Sequence, residues 1–105
     1  MQAQTEILVI GTNDVILKTI VRLVNNNILW NATGVSSVSE ALSRCKKNHY
    51  QVLLIGAGLS EEEEASVRRE VSENYPDIRI MLHYGGGSGL LSAEIYLALA
   101  QKKAD

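Results

Sequence analysis

Apolar and polar positions along the chain follow two alternating rhythms. Continuous apolar runs occur at Ile7-Leu8-Val9-Ile10, which reads as a strand buried on both faces, and at Val52-Leu53-Leu54-Ile55, which reads as a central strand; a largely apolar segment from Ile78 to Tyr84 reads as a fourth. Between Leu29 and Val35 the pattern is weaker, with Trp30, Ala32 and Gly34 alternating with polar residues as they do in an edge strand. The intervening segments have helical period. From Val15 to about Asn26, Ile16, Leu17, Ile20, Val21 and Val24 gather on one side, while Lys18, Thr19, Arg22 and Asn25 fall largely on the other. Ser37 with Glu40 forms a capping-box pattern ahead of a second helix, whose stripe is Ala41, Leu42 and Cys45 and whose end lies near Asn48. Ser60 with Glu63 repeats that pattern for a third helix, which buries Val67, Val71 and Tyr75 and stops at Pro76. A last helix is predicted from about Leu90 to Lys102.

Strand and helix therefore alternate, which predicts an α/β domain with a parallel sheet and helices on both faces. At 105 residues the chain suits one such domain, residues 1–105. An apolar fraction of 46% with 21% charged residues is ordinary for a globular protein. A formal net charge of −2 gives no overall positive field, so nucleic acid is not an expected partner. No apolar run approaches membrane-spanning length and Met1 to Glu6 is polar, so no membrane association and a cytoplasmic location are expected. Cys45 is the only cysteine, which rules out an intramolecular disulfide; its place in an apolar stripe predicts a buried thiol.

The loop after the first strand, two βα units, and then Leu53-Leu54-Ile55-Gly56-Ala57-Gly58-Leu59-Ser60 at the end of the third strand give a pattern that resembles the receiver domain of response regulators, over roughly Glu6 to Leu82. The resemblance implies a three-layer, flavodoxin-like fold. Receivers phosphorylate an aspartate at the end of the third strand and hold magnesium with an acidic pair after the first. Here the acidic pair falls on Gly11 and Thr12, beside Asn13, and the phosphoacceptor falls on Gly56. The receiver hydroxyl residue of the fourth strand matches His83, and the lysine of the fifth strand has no counterpart. The implied function is a degenerate receiver, a protein-interaction module in signal transduction with neither enzymatic activity, metal nor cofactor. Asp14 reads as the N-cap of the first helix. Only about 21 residues follow Tyr84, enough for one loop and one helix, so the expected sheet has four strands in order 2-1-3-4 with the fourth at an edge.

Other chemistry is less well supported. Gly11, the pair Gly56 and Gly58, and the run Gly85-Gly86-Gly87-Ser88-Gly89 gather at the carboxyl ends of strands, where open α/β sheets bind ligands. The alternative function is thus a domain for a small anionic or nucleotide-like ligand, held by backbone N–H groups of the glycine loop. Against it, no Walker-type lysine follows the triple glycine and no G-x-G-x-x-G follows the first strand. His83 and His49 are the only histidines and belong to opposite ends of the expected sheet, and Arg44, Lys46, Lys47 and His49 read as a solvated helix end. In the last helix Leu90, Leu91, Ile95, Ala98 and Leu99 make a face for the sheet, yet Ala93, Tyr96 and Leu97 are also apolar. Apolar residues all round a helix point to burial on two sides. With the exposed fourth strand this predicts a homodimer surface that includes Ile80, Met81, Tyr96 and Leu97.

Overall fold

All four apolar runs become strands of one parallel sheet, ordered β2-β1-β3-β4, in the computed structural model, which describes residues 5–56 and 58–82 together with Ile95. The strands are β1 (Thr5–Ile10), β2 (Trp30–Val35), β3 (Val52–Ile55) and β4 (Arg79–Leu82), and they alternate with α1 (Asp14–Asn25), α2 (Val38–Lys47) and α3 (Glu61–Asn74). Ile10 pairs with Val35 and with Ile55, and Ile55 with Leu82, so the carboxyl ends of the strands lie level. The expected order and three-layer architecture are both present.

Side chains alternate across a strand, and here each strand feeds two cores. Ile7, Val9, Val52, Leu54, Trp30 and Ala32 face α1 and pack on its Leu17, Ile20 and Val24. Leu8, Ile10, Leu53, Ile55 and Val35 face the other way, onto Ala41 and Cys45 of α2 and Val67 and Val71 of α3. Because β1 and β3 are covered on both sides, their residues Ile7 to Ile10 and Val52 to Ile55 are at most 1% exposed. Each such Val, Leu or Ile contributes about 1.5–3 kcal/mol through removal from water. Ile95 is helical, fully buried and in the α1-side core, as expected for the last helix; the rest of that helix lies outside the described residues.

Ser37 and Ser60 cap α2 and α3 as their motifs predict, and Ser60 and Glu63 complete the reciprocal capping box. Three expectations need correction. Asp14 is not the N-cap of α1: Asn13 is, its side chain accepting the Ile16 N–H at 3.1 Å, while Asp14 occupies the first helical position. Ile16 is 40% exposed rather than buried: the face of α1 that meets the sheet is Leu17, Ile20 and Val24, and Ile16 lies to its side. Gly34 is exposed, yet its backbone lies against α1, where an added Cβ would come within 3.0 Å of Val21 Cγ2.

Candidate functional site

In a doubly wound sheet, ligands bind beyond the carboxyl ends of the strands, where the order reverses between the first and third. That switch point here lies between β1 and β3, with α1 on one face and α2 and α3 on the other. Its floor is Gly11 and Gly56, both buried. The Gly11 N–H donates to the Val35 carbonyl at 3.1 Å and the Gly56 N–H to the Ile10 carbonyl at 2.7 Å. Both amides extend the strand ladders, so neither is free to hold an anion. A Cβ at Gly56 would sit 3.3 Å from the Ile10 carbonyl oxygen, closer than ordinary contact.

Above that floor the loops after β1 and β3 meet. Gly58 has φ of 101°, a conformation open to glycine, and a Cβ placed there would overlap the Thr12 hydroxyl. Thr12, Asn13 and Gly58 are exposed at this rim. Asn13 turns its side-chain oxygen back to cap α1. Asp14 points away along the helix surface and pairs with Lys18 at 3.1 Å, both side chains being largely exposed. A magnesium ion needs several oxygen ligands, usually including carboxylate or phosphate. Gly11, Thr12 and Gly56 offer one side-chain hydroxyl between them and do not fit that ion.

The structure brings Gly11, Thr12, Asn13, Gly56 and Gly58 together at the carboxyl ends of β1 and β3. His83 and the loop Gly85, Gly86, Gly87, Ser88 and Gly89 lie outside the described residues, as do Tyr96 and Leu97. Ile80 and Met81 are half-buried and pack on opposite cores of their own chain, Ile80 on the α2–α3 side and Met81 on the α1 side. Sequence reasoning missed Gln51. Its Oε1 accepts the Glu6 N–H at 2.8 Å and its backbone N–H donates to the Glu6 carbonyl at 2.9 Å, fastening β3 to β1 at their amino ends. A lone glutamine before a strand carries no local signal for such a clamp.

Cys45 is buried at 5% exposure, and burial pushes its thiol above the ordinary range. Among the described residues no group of three His, Cys, Asp or Glu side chains could hold a metal, and no helix is long and apolar enough to cross a membrane.

No protein-family model matches the chain and no curated protein sequence matches it significantly. Its backbone does match solved structures. The match to an uncharacterized protein from Neptuniibacter caesariensis has a TM-score of 0.79 at 15% identity and covers 93% of this chain and 90% of that one. For an orphan response regulator of H. pylori the TM-score is 0.79 at 13% identity, covering 94% and 99% of the two chains. The BeF3-activated DrrB receiver domain matches at 0.78 with 13% identity, over 94% of this chain and all of the other. Such low identities relate backbones rather than chemistry, and on that ground the chain has the fold of a response regulator receiver domain.

Proposed function

We propose that the chain works as a degenerate receiver, a protein-interaction module of signal transduction that operates without phosphoryl transfer. The observation that carries this reading is the switch point between β1 and β3, where Gly11, Thr12 and Gly56 stand in place of carboxylates and Thr12 lies against Gly58. Phosphoryl transfer rests on positioning and on charge neutralisation by a cation, and these side chains supply neither. The test is intact mass spectrometry after treatment with acetyl phosphate and millimolar magnesium. No mass gain is expected; a hydroxylamine-labile phosphoryl adduct would overturn the reading and put Asp14 first among the suspects.

A module of this kind acts through its surfaces, and the favoured partner is a second copy of the chain. Ile80 and Met81 stand on β4, which pairs with β3 alone among the described strands, and Tyr96 and Leu97 belong to the predicted last helix. An isologous contact could cover both elements with one self-complementary surface. Light scattering coupled to gel filtration should give a wild-type dimer and a folded Leu97→Glu monomer. A wild-type monomer at high concentration, or a Leu97→Glu protein that unfolds, would mean that the helix packs within its own chain. The unpaired, buried Cys45 suits the reducing conditions of the cytoplasm, where we place the protein.

A further inference from the structure

Strand β2 is an outer strand of the sheet and pairs with β1 alone among the described strands. An open edge offers its N–H and C=O groups to any extended chain, and proteins blunt it with charge, proline, a bulge or a very short strand. β2 uses none of these. Its sequence, Trp30-Asn31-Ala32-Thr33-Gly34-Val35, contains no charged residue and no proline. Its residues match those of β1 one for one along the whole strand, so no bulge interrupts the pairing.

The N–H and C=O of one strand residue point to the same side, and successive residues point to opposite sides. The N–H groups of Thr5 and Gly11 donate to the carbonyls of Leu29 and Val35, which sets the parity. Asn31, Thr33 and Val35 face β1, and Trp30, Ala32 and Gly34 face outward.

Two of these three outward N–H groups are already taken. The Trp30 N–H donates to the Asn27 carbonyl at 3.0 Å, inside the turn that enters the strand. The Ala32 N–H, in the middle of the edge, donates at 2.8 Å to Oδ1 of Asn25, the last residue of α1. This bond is separate from the cap of α1, whose residue is Asn26. It covers a strand donor with a side chain from another element. Close packing puts Asn25 there: a Cβ on Gly34 would stand 3.0 Å from Val21 Cγ2, so the glycine lets α1 lie low on β2, and Asn25 follows Val21 by one helical turn.

We propose that Asn25 guards this edge, holding β2 closed against the β2 of a second copy of the chain. Without the guard the edge fits its own copy. Two β2 strands related by a two-fold axis run antiparallel and offer each other the same outward donors and acceptors, with no charge on either to repel. The device is independent of the contact proposed at β4, which lies at the opposite edge of the sheet.

Asn25→Ala tests it, by light scattering coupled to gel filtration and by amide hydrogen exchange on the full chain. Each hydrogen bond is worth about fivefold and a two-fold contact loses two guards, so the variant should self-associate roughly thirtyfold more tightly than wild type. Its mass should exceed that of wild type at the same concentration: a dimer where wild type is a monomer, larger open-ended species where β4 already pairs. A wild-type monomer therefore counts against the β4 contact alone, whereas equal masses for wild type and variant overturn the guard. Pairing should also bring concentration-dependent protection to the Gly34 N–H. Growth in mass without that protection overturns the proposal, because it marks general aggregation of a loosened fold. If the variant does not fold, wild type decides by itself. Its Ala32 amide should exchange at least about fivefold more slowly than that of Gly34 after correction for intrinsic rates, and equal rates would mean that Asn25 does not hold the edge.

Discussion

The two ends of the sheet differ in how they treat charge. At the carboxyl end, Gly11, Thr12, Asn13, Gly56 and Gly58 are all uncharged, and the acids stand farther along on the helices, as Asp14 on α1 and as Glu61, Glu62, Glu63 and Glu64 in the first turn of α3. There the positive ends of the helix dipoles favour them. At the amino end, charged side chains remain beside an open cavity, with Lys46, Lys47 and Asp77 lining it together with the buried Tyr50. Moving a carboxylate even one helical position off the strand end turns a candidate ligand into a helix-stabilising charge. The fold of a receiver domain is thus present with no carboxylate at Gly11, Thr12 or Gly56.

The contact between the two carboxyl-end loops can be broken most severely at Gly58. Gly58→Ala places a Cβ at positive φ and against the Thr12 hydroxyl, and should cost about 2–4 kcal/mol in a denaturant melt. In a Thr12→Ala background the same change should cost about 1 kcal/mol less, since the overlap goes and the backbone strain stays. Equal costs in both backgrounds would show that the loops do not meet as described.

A smaller effect distinguishes the cap from the displaced acid. Asn13→Ala should destabilise the domain by about 1 kcal/mol, because the Ile16 N–H loses its acceptor. Asp14→Ala should cost only a few tenths of a kcal/mol, as its ion pair with Lys18 is solvent-screened. Reversed magnitudes would return the cap to Asp14.

The smallest effect belongs to the amino end. Burial raises the Cys45 thiol's pKa, so the folded state disfavours the thiolate. The stability contributed is complete below the unfolded thiol's pKa and is lost as pH rises past it. The melting temperature of the wild type should therefore fall more steeply above about pH 9 than that of Cys45→Ala, taking 9.0 as the ordinary thiol value. Parallel profiles would mean that the thiol titrates freely in the folded protein.

Much of the fold was legible because its signals are local. Val52 to Ile55 matched its strand without adjustment, and Ser37 and Ser60 cap helices because a side chain three residues from its amide partner needs no distant support. The carboxyl-end positions Gly11, Thr12 and Gly56 were legible for a related reason: each lies immediately after the strand that places it.

The choice of cap was not legible, since Asn13 and Asp14 are both good caps by type. The path of the chain leaving β1 decided it by holding Asn13 extended, at φ −85° and ψ 108°, so that the helix begins one residue later. Sequence by itself determined the alternation of strand and helix, the two buried faces and the absence of carboxylates at Gly11, Thr12 and Gly56. Only the tertiary structure decided the rest. The Thr12–Gly58 contact, the Gln51 clamp on Glu6 and the cavity around Tyr50 join residues far apart in the chain. Such contacts depend on how β1, β3 and the ends of α2 and α3 lie against one another, and periodicity, capping rules and composition describe only neighbours along the chain.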